Sequence, residues 1–326
     1  MMKDFSKAVN LFSLKDFEFQ EVEGHEGGRN QIFICSKNDE KKFVLRISST
    51  GDKTENDYLA ETEFVHYLAK GGAPVADVIP SVNGKLVEVV DDGEAQVFMS
   101  LFEYAKGMLL CDNGYHYREG APLEEYFYNT GKVLGKIHEL SKRFKPASDC
   151  HRPDYFDKYN MEYINNLMPD PPTIYSDLKN AIGVCLEKFR TLPTNTQSYG
   201  LIHFDFSDGN YHIDMTNGII TVFDFDNCMY CWYMFDLANL YLHGEGWFRN
   251  EPDPTKRAAG MQHYFDTILK GYKSETTISD EFLNQLPLFI DMVLIENIVD
   301  EFECAAREGE EVDYEDIENA AQCLIK

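Results

Sequence analysis

The stretch HFDFSDGNYHIDMTNGIITVFDFD, residues 203–226, sets three polar groups around one short reversal of the chain. Asp205 and Asn210 stand five residues apart on an irregular loop opened by Ser207-Asp208-Gly209, where side chains can converge. YHID and IITVFDFD read as short strands, and Thr216-Asn217-Gly218 between them has the chemistry of a hairpin turn. Such a hairpin carries the chain out and back and returns Asp224 to the loop. One free carboxylate beside an amide–carboxylate pair suits metal-assisted phosphoryl transfer. A hard Mg2+ ion needs only one or two protein carboxylates when substrate phosphates complete its shell. The remaining aspartate can then orient an attacking hydroxyl and accept its proton.

Outward from this stretch the pattern divides in two. Residues before about 103 read as strands with one helix. QIFICS (31–36) and KKFVLRIS (41–48) form a hairpin through Lys37-Asn38-Asp39-Glu40. NDYLAETEFVHYLAKGG (56–72) sets Leu59, Phe64, Val65, Tyr67 and Leu68 on a helix face that ends at Gly71-Gly72. KLVEVV and AQVFMSLFEY flank Asp91-Asp92-Gly93 as a second hairpin. After Glu103, residues 123–144 and 174–192 are amphipathic helices separated by the loop MPDPPT, and the chain from Phe235 onward is mostly helical. The expected architecture is α+β: a β-rich N-terminal lobe, residues 1–103, and a mainly helical C-terminal lobe, residues 104–326, with a cleft at the seam.

Composition narrows the function. With 44% hydrophobic residues the chain can bury a full core. Its 30 basic and 56 acidic residues leave a net charge of −26, which disfavours nucleic acid and anionic membranes as partners. The most apolar run, Leu286 to Val299, is broken by Asp291 and Glu296, and the N-terminus lacks a signal peptide's apolar core. The expected setting is soluble and cytoplasmic. Eight cysteines are too sparse for a disulfide framework, and CxxC at Cys228 and Cys231 lacks the second pair or histidines of a zinc site.

The segment HFDFSDGN resembles the catalytic loop of the aminoglycoside phosphotransferase and choline kinase-like family, usually written H-G-D-x-x-x-x-N. VFDFDN resembles its metal-binding segment, the counterpart of D-F-G in protein kinases, and FDLANL resembles its D-L-A helix start. The resemblance spans about residues 20 to 245. It implies a protein-kinase-like two-lobe fold and an ATP-dependent phosphotransferase using Mg2+ on a hydroxyl of a small molecule. It makes Asp205 the base, Asn210 and Asp224 the metal ligands, and Asp236 a buttress of the loop. In KFVLRIS, alternation sets Val44 and Arg46 on one face, opposite Phe43, Leu45 and Ile47. By resemblance, Val44 and Arg46 belong to the strand that touches the ATP phosphates, and Glu61 is the helical partner of Arg46. EGHEGGRNQIF resembles the nucleotide-covering turn, with Gly27 and Gly28 permitting close backbone approach. FMSLFEYAKG resembles the interlobe linker, whose backbone at Ser100 to Phe102 would bond adenine.

Several residues keep blander readings. His203 reads as loop packing, His138 as a satisfied core histidine, Asp208 as a turn residue, and Trp232 and Tyr233 as core aromatics. Asp226 is either a second metal ligand or a polar surface residue. Phe204 stands where the family usually has glycine, which motivates a rival reading as a nucleotide-binding regulatory pseudokinase. A second rival is a thiol or metal protein built on Cys228 and Cys231. From Glu275 to Lys326 fifteen residues are acidic and only Arg307 and Lys326 are basic. That wall predicts a cationic, amine-bearing acceptor, against the plainer reading of a solvated surface.

Overall fold

The structure is a computed structural model describing residues 5–22, 30–49, 53–91, 96–146, 150, 152–168, 177–312 and 314–325. The N-terminal region runs α1 (Ser6–Phe12), β1 (Glu18–Val22), β2 (Asn30–Lys37), β3 (Glu40–Ser49), α2 (Glu55–Lys70), β4 (Val78–Ile79), β5 (Glu88–Asp91) and β6 (Gln96–Glu103). The six strands form one antiparallel sheet in the order β1-β2-β3-β6-β4, with β5 also on β6. The β2–β3 hairpin closes where Lys37 pairs Glu40. Asn38 and Asp39 between them take φ of 55° and 61°, the two left-handed residues of a turn that matches strand twist. Thr54 and Asp57 form a reciprocal capping box at the start of α2.

Strand alternation gives the sheet two faces. Phe33, Cys35, Leu45, Ile47, Met99 and Leu101 pack under Ala8, Phe12 and Leu14 of α1 and its flank, a segment the sequence reading leaves unassigned. Ile32, Ile34, Val44, Arg46 and Phe102 turn the other way and line a cleft. Nonpolar cover on one face thus leaves the other for a ligand.

The remainder is helical apart from two short hairpin-like pairs. It contains α3 (Leu123–Ser141), α4 (Tyr155–Lys158), α5 (Met161–Leu167), α6 (Leu178–Phe189), β7 (Tyr199–Ile202), β8 (Tyr211–Ile213), β9 (Ile220–Val222), β10 (Met229–Trp232), α7 (Tyr233–Phe248), α8 (Pro254–Tyr272), α9 (Asp280–Leu283), α10 (Leu286–Glu308) and α11 (Tyr314–Ile325). β8 pairs β9, and β7 pairs β10. Asp214 closes the β8–β9 turn by accepting bonds from the Thr216 amide and hydroxyl at 2.9 and 2.6 Å. Helices α3 and α8 meet backbone to backbone: a Cβ on Gly131 would lie 2.0 Å from the Ile268 carbonyl oxygen. The two regions join where Val222 of β9 donates to Pro74 O and accepts from Ala76 N, at 2.9 and 2.8 Å.

Cys228 and Cys231 are free and fully buried at β10, and burial pushes the Cys228 thiol up to about 12. A thiol so protonated and enclosed is a poor nucleophile and a poor metal ligand, so the pair serves packing. Among the described residues no helix is long and apolar enough to cross a membrane.

Candidate active site

β7 delivers the chain into the loop 203–210, and Asn210 folds back on Asp205. The Asn210 amide Nδ2 donates to the Asp205 backbone oxygen at 2.8 Å and to Oδ2 at 2.9 Å. The Asn210 backbone oxygen accepts from the Phe223 amide at 2.9 Å, so the outgoing and returning strands set Asp224 beside the loop. His203 is buried, bonds the Phe223 carbonyl through Nε2 at 3.0 Å and lies 4.4 Å from the Phe225 ring. It fastens the two segments and packs the loop, as the plainer reading expects. Burial raises the Asp205 carboxyl above the ordinary range, with Asp226 adding to this and His203 and Asn210 opposing it.

Phe204 explains why glycine is frequent at its position. Its φ is 72°, a left-handed conformation that costs a bulky residue about 1–3 kcal/mol. Two contacts offset the strain. The ring stacks on Phe235 at 4.3 Å with planes 4° apart, and such pairs contribute about 0.5–1.5 kcal/mol. Its backbone N–H donates to Asp236 Oδ1 at 3.1 Å, and bonds to charged groups contribute about 1.5–3 kcal/mol. Together the two contacts match or exceed the strain, so the side chain is accommodated with Asp205 in place.

Asp236 is itself held from behind. Its Oδ2 lies 3.0 Å from His138 Nε2, and His138 Nδ1 lies 2.9 Å from the Tyr272 hydroxyl. Asp236 and His138 are wholly buried, and burial lowers the His138 pKa despite the pull of Asp236. A carboxylate only accepts, so Nε2–H is the donor and the neutral ring accepts from Tyr272 at Nδ1. The "satisfied core histidine" is therefore the third member of a chain ending on the Phe204 amide. His138→Leu should cost about 1–3 kcal/mol by leaving a buried acceptor unmet, read as a lowered thermal midpoint.

In the N-terminal lobe Arg46 Nη1 and Nη2 grip Glu61 Oε1 and Oε2 at 2.7 and 2.9 Å. Arg46 is 5% exposed and Glu61 1%. The guanidinium also lies 5.0 Å from the Phe102 ring centroid and 5.4 Å from that of Tyr58. Burial opposes its charge, but Glu61, then Asp226 and Asp224, more than restore it. Val44 and Phe102 line the cleft with Arg46. Ser100 does not: it is buried in β6 opposite Arg46, and Phe102 is already paired on both sides, to Val44 of β3 and Val78 of β4. The cleft lining continues through Glu103, Tyr104 and Ala105. Gly27 and Gly28 lie outside the described residues.

Asp224 sits at the bottom of the cleft, reachable by water yet surrounded by protein. Its carboxyl is pushed up to about 7 by burial and the Asp226 charge, with Arg46 opposing and Glu61 and Asp205 adding to the rise. Asp226 is buried rather than a surface residue. Its carboxylate meets Asn30 Nδ2 at 3.3 Å and Lys53 Nζ at 3.6 Å. Crowded carboxylates that resist ionisation suit a cation, and the spent Asn210 nitrogen leaves the amide oxygen for one. Among the described residues no three His, Cys, Asp or Glu side chains form a closed metal cage.

A family model described as the phosphotransferase enzyme family (APH) matches residues 21–273. The chain belongs to that family. This phosphotransferase is 29% identical over 262 residues to an amicoumacin kinase of Bacillus subtilis strain 168, covering 80% of the chain and 74% of that protein. It superposes on an amicoumacin kinase in complex with AMP-PNP, Ca2+ and Ami with a TM-score of 0.78 and 21% identity, covering 98% of this chain and 90% of that one. A microcompartment-associated aminopropanol kinase gives 0.70 and 18%, covering 98% and 92%. The fold is therefore the two-lobe, protein-kinase-like fold of small-molecule kinases.

On the helical side of the phosphotransferase cleft, α10 presents Glu296, Asp300, Glu303 and Arg307 at helical spacing, and all four line the cleft. Facing them are Asp157, Lys158, Tyr159 and Tyr163. Glu303 is engaged by Lys158 Nζ at 2.9 Å and by the Tyr163 hydroxyl. Burial and Asp300 push the Glu296 carboxyl up to about 8, against the pull of Lys158. Tyr159 is 1% exposed, and its hydroxyl has no hydrogen-bond partner among the described residues. Part of the acidic excess thus faces the cavity, which has a volume of about 1610 Å3. In the sequence Glu296 stands out only as a break in an apolar run and Tyr159 not at all, though the i, i+4, i+7 spacing of acids on α10 is present there.

Proposed function

We propose that this chain is an ATP-dependent small-molecule kinase that transfers the γ-phosphate to a hydroxyl of an amine-bearing acceptor. The observation that supports it is the convergence of the Asp205–Asn210 loop, Asp224 and the Arg46–Glu61 pair on one cleft whose far wall is acidic. In this reading residues 1–103 bind the nucleotide and residues 104–326 carry the catalytic loop and the acceptor site. Arg46, with Val44 and Phe102 beside it, faces the nucleotide. The backbone of Glu103 to Ala105 takes the linker role expected of Ser100 to Phe102. Asn210 and Asp224 would hold Mg2+, which when bound offsets phosphate charge. Asp205 orients the acceptor hydroxyl and takes its proton as the new O–P bond forms and the bond to the departing ADP breaks. Use of ATP as the phosphate donor supports a cytoplasmic setting.

The test is release of ADP from Mg2+-ATP across a panel of amino alcohols, amino sugars and hydroxylated antibiotics, for wild type and an Asp205 variant. Equal background rates in both would return the chain to a regulatory, nucleotide-binding role.

The amine half has its own test. Glu296→Gln should lower kcat/KM for an amine acceptor by about 10–100-fold, the scale of one charge-assisted bond of about 1.5–3 kcal/mol. For an acceptor still protonated there, wild-type kcat/KM should rise as pH rises through about 8, where Glu296 ionises. It should also fall with ionic strength. Glu296→Gln should lack the rise. A best acceptor that is neutral or anionic would show that the acidity of α10 serves only solvation.

A further inference from the structure

Arg152 is 4% exposed, and among the described residues its hydrogen bonds go to main-chain oxygens. Nε donates to Cys228 O at 2.7 Å, Nη2 to Asp226 O at 2.6 Å and Nη1 to Asp57 O at 3.3 Å. A buried charge is tolerated only when its donors are satisfied, and the planar guanidinium fork reaches three carbonyls at once. Two of those carbonyls belong to the segment just after Asp224. The third is in the first turn of α2, the helix that carries Glu61 and thereby holds Arg46.

The Asp226 carbonyl has a second cation on it. Lys53 Nζ, from the N-terminal lobe immediately before α2, donates to the same oxygen at 2.6 Å. Arg152 comes from the other lobe, where its neighbour Pro153 accepts from the Tyr230 amide at 2.9 Å and Asp154 accepts from the Tyr199 hydroxyl. One peptide oxygen, two residues after Asp224, is thus gripped from both lobes.

We infer that Arg152 is a positioning residue that fixes the Asp224–Asp226 segment against the first turn of α2 and thereby sets the cation site. Its action is through other residues, since three of its five N–H donors are held by main-chain oxygens. This rests on the kinase reading of the cleft and adds to it a coupling between the lobes.

The experiment measures ATP binding to the full chain by titration calorimetry, in EDTA and across a Mg2+ series, for wild type, Arg152→Gln, Arg152→Lys, Lys53→Met and the Arg152→Lys/Lys53→Met pair. Arg152→Gln should bind metal-free ATP within about twofold of wild type while its apparent Mg2+ constant rises about 10–100-fold, as for loss of an outer-shell partner. Arg152→Lys should recover part of that loss, because one ammonium reaches one carbonyl of the three. The double variant should depart from additivity, because both cations act on one oxygen. If Arg152→Gln fails to fold, the lysine variant and the double variant carry the test. Equal losses for metal-free and Mg2+-bound ATP would make Arg152 merely structural and overturn the inference. So would strict additivity with Lys53→Met. A wild-type protein whose ATP binding ignores Mg2+ would instead remove the kinase reading itself.

Discussion

Asp205→Asn is expected to lower kcat by about 10²–10⁴-fold, the usual contribution of a positioned general base. The substitution keeps the shape, and an amide can still accept from Asn210 Nδ2, which donates to the Asp205 carboxylate at 2.9 Å. It cannot take the acceptor's proton. KM for ATP should change little, because the loss falls on the chemical step. The wild-type pH profile should have an acid limb above the ordinary carboxylate range, since burial raises the Asp205 carboxyl. Protonation through that limb removes the base, so activity falls as pH falls, and the limb should vanish in the variant. A wild-type kcat in Asp205→Asn would place the base elsewhere.

Arg46→Ala is expected to fail twice over. It strands the Glu61 carboxylate, 1% exposed, and breaking a buried ion pair from one side costs about 3–5 kcal/mol. Against a typical stability of about 5–15 kcal/mol this should show as a large drop in thermal midpoint. It should also raise the apparent ATP constant about tenfold or more, since a charge-assisted phosphate contact contributes about 1.5–3 kcal/mol. Arg46→Met with Glu61→Leu separates the two effects. Removing both charges should recover most of the stability and none of the ATP affinity. Wild-type ATP affinity in that double variant would place β3 outside the nucleotide site.

Much of this molecule is legible locally. The β2–β3 hairpin follows from two residues able to adopt left-handed φ, Asn38 and Asp39, between β-rich runs. The face that carries Val44 and Arg46 follows from alternation alone, because successive strand residues point to opposite sides. The return of Asp224 to Asn210 follows from a short hairpin with an Asp-x-x-x-Gly turn. Segment α1 escaped notice because seven residues of mixed polarity acquire a helical face only against the sheet they cover. Where β6 stops pairing with β3 and β4 is not marked by any local pattern in the sequence.

What sequence determined by itself was therefore the set of chemical groups and their local geometry: a carboxylate and an amide on one loop, a second carboxylate brought back by one turn, a cation on one strand face. These depend on contacts between residues close in the chain, where turn chemistry and side-chain period suffice. What only the tertiary structure decided is how those groups are held. Phe204 keeps a left-handed backbone because Phe235 and Asp236 lie under it, and Asp236 is ready because His138, 98 residues earlier, donates to it. Arg152 meets carbonyls 95, 74 and 76 residues away, with no local pattern to mark it. The acids of α10 become a cavity wall only because α4 and α5 face them. Such partners are chosen by packing of distant segments, and a one-dimensional pattern carries no record of which buried donor will meet which acceptor.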